Sequence, residues 1–191
     1  MRFNVKALLK LMKKSYKGGG IKILRIEVGL RDCFFLTGAD WALLIPKEKC
    51  PGEITGQIVT WLADLPRIGY AAWVVKGFDP KPLEPEERGL TISACTAPAY
   101  TLGLKPLPLR TETEFLVQLS TGQTAAFDLD TFDVVASGAN LGAFDSSVLL
   151  ARWTDEDSEA QFWIWNDINN VPEIARTAAP ACRVWPDEKE N

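Results

Sequence analysis

The feature that most restricts the fold of this 191-residue chain is an amphipathic helical pattern near its start, within residues 6–17. At about 100° per residue, its lysines fall within an arc of roughly 100° on one side of a helix. These are Lys6, Lys10, Lys13, Lys14 and Lys17. The other side consists of Leu8, Leu9, Leu11, Met12 and Tyr16. The pattern predicts a helix that packs on a sheet through its apolar side and presents its cations to a polyanion.

Short apolar runs bounded by turn residues surround this helix and indicate strands. The predicted strands of the first part are residues 2–5, 21–28, 33–37, 41–45 and 70–75. Three consecutive glycines, residues 18–20, predict the end of the first helix because glycine tolerates positive φ. A second helix is predicted over residues 53–65, where apolar residues recur at helical spacing before Pro66. The expected unit is a strand, a helix, a hairpin and a helix.

The second half predicts a β meander, with strands at residues 115–119, 124–129, 132–136, 147–153 and 160–165. We therefore expect an α+β fold in which two helices pack on an antiparallel sheet, followed by a β-rich half. The predicted organisation is a unit at 1–78, a proline-rich connection at 79–112 and a β-rich half with an acidic tail at 113–191. The alternative is that all three parts form a single domain.

Charge is distributed unevenly along the chain. Residues 1–32 carry nine Lys or Arg against two acids, a net +7, whereas the whole chain carries −4. This asymmetry predicts a basic contact surface on an otherwise acidic body. The alternative is a solvated helix face that the acidic tail neutralises, within the chain or between subunits.

Histidine is absent from the sequence, and this excludes whole classes of site. A Ser-His-Asp or Cys-His nucleophile cannot be built, and neither can a zinc site that contains histidine. The four cysteines form no C-x-x-C pair, and no export signal or membrane-spanning run is evident, so we expect reduced thiols and a cytoplasmic location. No catalytic residue and no cofactor are predicted.

The first sixty-six residues resemble one domain of a bacterial DNA sliding clamp. The likeness rests on the strand, the lysine-bearing helix, the hairpin with Thr37-Gly38-x-Asp40, and the second helix that ends Trp61-Leu62-x-Asp64-Leu65-Pro66. It implies the element order β-α-β-β-β-α, with the five lysines on the side that faces DNA. The second helix has no Lys or Arg, so a clamp-like fold is expected without the task of a clamp.

Acidic and aromatic clusters provide the remaining candidates. Asp128, Asp130 and Asp133 are the weak candidates for a metal site, since two of them would project from one face of a strand. A solvent-facing edge beside a turn is the simpler interpretation of that cluster. The pattern Phe162-Trp163-x-Trp165 places both tryptophans on one sheet face, where a role in the core or at a subunit interface is expected rather than a stacking platform. Trp41, Trp61 and Trp73 lie in apolar segments and are expected in the core.

These patterns predict a non-enzymatic binding protein whose basic helix contacts an anionic partner. Nucleic acid is the first candidate for that partner, and an acidic protein surface is the second. Two alternatives stay open: a histidine-free enzyme that uses the Asp cluster with a divalent metal, and a self-associating module that forms a homo-oligomer. A third is peripheral attachment of the basic helix to a membrane, which requires that Leu8, Leu11 and Met12 be exposed.

Overall fold

We describe residues 3–84, 102–119, 124–135, 142–143, 148–155 and 157–167 of a computed structural model of the chain. The helices are α1 (Val5–Gly18), α2 (Gly52–Leu62) and the single turn α3 (Leu129–Phe132). The strands of the first part are β1 (Ile21–Val28), β2 (Arg31–Thr37), β3 (Trp41–Pro46), β4 (Ala71–Val74) and β5 (Lys81–Pro82). Those of the second part are β6 (Leu102–Arg110), β7 (Glu114–Leu119), β8 (Thr124–Asp128), β9 (Gly142–Ala143), β10 (Val148–Asp155) and β11 (Ala160–Asp167).

The strands lie in the order β5-β4-β1-β2-β3-β11-β10-β9-β6-β7-β8, and neighbouring strands pair antiparallel. β3 pairs with β11, so that Trp41 lies opposite Ile164 and Leu44 lies opposite Gln161. Strands from the first and last parts of the sequence therefore belong to the same sheet. The predicted α+β fold, with helices packed on an antiparallel sheet, is confirmed.

The core on the helix side forms because α1 buries residues at helical spacing and the strands bury alternate residues. Leu8, Leu11 and Met12 of α1 are buried against Phe34 and Leu36 of β2. Ile54 and Ile58 of α2 complete this layer together with Trp41, Trp153 and Phe162. Each fully buried Leu, Ile or Phe side chain contributes roughly 1.5–3 kcal/mol by its removal from water. Peripheral attachment of α1 to a membrane would require Leu8, Leu11 and Met12 to be exposed, whereas all three are buried.

Glycine determines where α1 ends. The chain leaves α1 at Gly19, and Gly20 adopts φ +95°. A Cβ atom at Gly20 would lie 2.1 Å from the indole nitrogen of Trp73. That indole N–H donates to the carbonyl oxygen of Gly19 at 3.1 Å. Both the backbone conformation and the close approach of the ring therefore require glycine at position 20.

Several sequence predictions differ from the structure. Phe3 forms only an isolated bridge with Val135, and Val5 already belongs to α1. The strand predicted at 132–136 is wrong, because α3 and a turn occupy residues 129–134.

Two strands lie inside the stretch predicted to be a proline-rich connection, β5 and β6. β6 contains Pro106, which lies opposite Val117, and Pro108, which lies where the register shifts between Pro106 and Arg110. A proline at such an irregular position loses little ladder bonding. The predicted acidic tail lies outside the described residues. Among the residues that are described, no helix is long and apolar enough to cross a membrane.

Candidate functional site

Helix α1 presents all five predicted lysines to solvent. Asn4 caps the N-terminus of the helix, and its side-chain oxygen accepts a hydrogen bond from the backbone N–H of Ala7 at 3.1 Å. Its buried side anchors it to the sheet, which leaves the opposite side exposed. We call Lys6, Lys10, Lys13, Lys14 and Lys17 the lysine face.

One apolar residue lies differently from the prediction. Leu9 was placed on the apolar side of the helix, but it is half-buried and borders the same open depression as all five lysines. The lysine face therefore contains an apolar contact as well as its cations.

Two carboxylates border the lysine face on one side, and we call Asp128 and Asp130 the acidic edge. Lys10 Nζ lies 2.7 Å from Asp130 Oδ1, and Lys14 Nζ lies 2.9 Å from Asp130 Oδ2 and 3.2 Å from Asp128 Oδ2. The hydrogen bonds from Lys10 and Lys14 lower the pKa of Asp130 and raise the pKa of both lysines. These two lysines thus already have anionic partners.

The fold of the acidic edge explains why the carboxylates face α1. β8 ends at Asp128, whose side chain accepts from the backbone N–H of Asp130 at 2.8 Å and begins the helical turn α3. The expectation that Asp128 and Asp130 share one face of a strand is wrong, because β8 ends at Asp128 and Asp130 lies in α3. Asp133 is the residue directly after α3. Within the described ranges, no group of three or more His, Cys, Asp or Glu residues could hold a metal ion.

Asp40 lies on the same side of the lysine face, in the turn between β2 and β3. Burial raises the pKa of Asp40, the charge of Asp128 raises it further, and Lys14 opposes the change. In the sequence, Asp40 stands out only as part of the hairpin pattern Thr37-Gly38-x-Asp40. Its proximity to Asp128 could not be found from sequence because 88 residues separate the two.

Lys6, Lys13 and Lys17 form the unpaired part of the lysine face. Where the structure is described, none of the three makes an ion pair with a carboxylate. Lysine ammonium groups that are not already neutralised are the ones free to bind another anion. The sequence pattern gave all five lysines the same role, and the structure divides them into two paired and three unpaired.

Aromatic residues border the opposite side of the lysine face. Tyr16 stacks on Trp61 of α2 with ring centroids 4.7 Å apart and an angle of 20° between the planes. The carbonyl oxygen of Tyr16 accepts from the backbone N–H of Lys76 at 2.9 Å, which holds the turn after β4 at the end of α1. Phe78, in that turn, is 73% exposed. We call Tyr16, Trp61 and Phe78 the aromatic edge.

Of the five tryptophans considered for the core or for stacking, two are fully buried and three are only half-buried. Trp41 and Trp163 are fully buried, as expected. Trp61 and Trp73 were also expected in the core but are only half-buried. Trp165 is half-buried too. Its indole N–H donates to the carbonyl oxygen of Ala39 at 2.7 Å, so the polar atom of this side chain already has a partner within the protein.

Comparison with known proteins finds no match to a family model, to a characterised protein or to a solved structure.

Proposed function

We propose that this protein is a binding protein, rather than an enzyme, and that its lysine face contacts the phosphate backbone of a nucleic acid. The observation that carries the proposal is the set of exposed, unpaired ammonium groups of Lys6, Lys13 and Lys17 on a helix anchored by its buried side. Contact with phosphates needs only long cations at fixed positions, because the backbone carries no sequence information.

The spacing of these lysines supports this partner. Lys6 and Lys17 are eleven residues apart, which corresponds to about 16 Å along a helix that rises 1.5 Å per residue. One strand of B-DNA places about five phosphates along that length, at 3.4 Å of axial rise per phosphate. The three unpaired lysines can therefore reach three phosphates along one strand without any change in the helix.

The likeness of the first sixty-six residues to one sliding-clamp domain remains a proposal about the fold. It is supported by the order of elements: the bridge residue Phe3, then α1, β1, β2, β3 and α2. We do not extend it to encirclement of DNA, because α2 carries no Lys or Arg. A cytoplasmic location is likewise proposed, in keeping with the free thiols of Cys33 and Cys50.

The test is fluorescence anisotropy of labelled DNA, as a single strand of about 20 nucleotides and as the matching duplex, at about 50 and 200 mM salt. This length exceeds the ~4–16 nucleotides that one binding fold covers. We expect binding that weakens with salt, with a log–log slope of about −0.9 per phosphate for the duplex and −0.7 for the single strand. The variant K6Q/K13Q/K17Q should lose most of this binding, since glutamine keeps helix propensity but removes the charge.

The matched control is K47Q/R67Q/K81Q, which removes three positive charges outside α1. This control variant should bind DNA as tightly as the unaltered protein does, because its three lost charges lie outside the lysine face. A loss of affinity in the control would indicate general attraction between a cationic protein and a polyanion instead of contact at one surface. Failure of both DNA forms to bind at about 50 mM salt, or an equal loss in both variants, would refute the proposal.

An acidic protein surface is the second candidate partner, and the acidic edge favours it directly. Asp128 and Asp130 show that carboxylates approach Lys10 and Lys14 to within 2.7–3.2 Å. A second copy of this acidic chain could supply such carboxylates to the remaining lysines. Sedimentation velocity at low and high salt tests this: a salt-sensitive dimer that K6Q/K13Q/K17Q abolishes would favour self-association, whereas a monomer throughout would exclude it.

A further inference from the structure

We infer that the nucleic acid which fits this surface is single-stranded, with its phosphates on Lys6, Lys13 and Lys17 and its bases on the aromatic edge. This inference rests on the proposed function and narrows it to one class of partner. It follows from the different chemistry on the two sides of the lysine face, which the structure alone brings together.

The acidic edge limits how wide a phosphate surface the helix offers. Lys10 and Lys14 are bound to Asp128 and Asp130, and Asp40 lies on the same side. The three unpaired lysines occupy an arc of only about 40° at 100° per residue. A second phosphate strand beyond Lys14 would approach carboxylates of its own sign, which is unfavourable. The geometry thus suits one strand of phosphates.

The aromatic edge supplies what a single strand needs on the other side. Tyr16 is three residues from Lys13 and lies next to it on the helix surface. Its ring is half-buried and stacks on Trp61, which fixes the orientation of both rings. Unpaired bases stack on aromatic rings beside a positively charged strip, whereas bases inside a duplex are already stacked and paired.

Phe78 is the exposed member of this edge. At 73% exposure it is the most exposed of the aromatic residues in the described part of the chain. The backbone N–H of Lys76 donates to the carbonyl oxygen of Tyr16 in the last turn of α1. Phe78 comes two residues after Lys76, so the Cα atoms of Lys76 and Phe78 are at most about 7 Å apart. A phenylalanine this exposed contributes little to the core, and the hydrogen bond between Lys76 and Tyr16 holds its turn at the C-terminal end of the helix that carries the lysine face.

The decisive experiment compares the single strand, the duplex and an abasic strand of the same length, using the full chain at about 50 mM salt. We expect the single strand to bind most tightly and the abasic strand, which keeps the phosphates, to bind more weakly. F78L should weaken single-strand binding by about 5- to 150-fold, the range for loss of one stacked base. The same variant should leave duplex binding unchanged.

The controls are L30A and I68A, which shorten the other large apolar side chains exposed in the described ranges, 97% and 53% respectively. Neither should change single-strand affinity. The inference is overturned by a duplex that binds as tightly as the single strand, by an abasic strand that binds equally well, or by no effect of F78L. In those cases lysine-dependent duplex binding would still support the proposed function, whereas the absence of binding to every DNA form would remove both.

Discussion

Neutralising the acidic edge should increase the number of phosphates that the lysine face can contact. In the variant D128N/D130N, the carboxylates that hold Lys10 at 2.7 Å and Lys14 at 2.9 and 3.2 Å lose their charge. Asparagine is as good a helix N-cap as aspartate, so the amide at position 128 can still begin α3. The substitution therefore frees two lysines without removing the turn that carries position 130.

The expected magnitude follows from the count of unpaired lysines. With Lys6, Lys13 and Lys17 alone, the log–log slope for a single strand is about −2.1, and affinity falls about 18-fold between 50 and 200 mM salt. With all five lysines available, the slope becomes about −3.5 and the fall about 130-fold. Affinity at low salt should rise together with the slope.

The assay is the anisotropy titration of the single strand at four or more salt concentrations, with thermal unfolding to confirm that the variant is folded. The matched control is E27Q/E48Q, which adds the same two units of charge at exposed carboxylates outside the acidic edge. A slope that stays near −2 in D128N/D130N, or that steepens equally in the control, would refute the division of the lysine face into paired and unpaired groups.

Three further predictions concern the fold that supports this surface, and each is checked by thermal unfolding. Gly20→Ala should destabilise the protein by about 1–3 kcal/mol, because Gly20 has φ +95° and an added Cβ would meet the indole ring of Trp73. Gly18→Ala is the control: its Cβ meets nothing within 4 Å, so the substitution should be neutral or stabilising. Leu8→Ala should cost about 2–5 kcal/mol and lower Tm by about 4–20 °C, whereas the half-buried Leu9→Ala should cost much less; equal losses would contradict the packing of α1. Burial raises the pKa of Asp40, so the charged carboxylate destabilises the folded protein once the pH rises above the unfolded-state pKa of about 3.9. Asp40→Asn should therefore raise Tm at pH 7 but not below pH ~3.5. A gain in Tm that is independent of pH would contradict this cause.

Local periodicity along the chain predicts much of the fold. α1 was expected at 6–17 and spans 5–18, because its apolar and charged residues recur at helical spacing and three glycines follow it. The strands at 21–28 and 41–45 are predicted from short apolar runs bounded by turn residues, which is also a local signal. Two predicted strands are wrong. Residues 2–5 provide only the bridge residue Phe3 before α1 begins, and at 132–136 alternation indicates a strand but the side chain of Asp128 caps a helical turn instead.

The sequence by itself determined that a basic amphipathic helix packs on an antiparallel sheet, because the spacing of side chains along the chain decides which ones share a face. Only the tertiary structure decided which lysines are available, since Lys10 and Lys14 meet carboxylates 114–120 residues away. Likewise, only folding placed Phe78 beside the end of α1 and β11 beside β3. A row of cations looks the same in sequence whether or not it is neutralised, because Coulomb attraction depends on distance in space and not on separation along the chain.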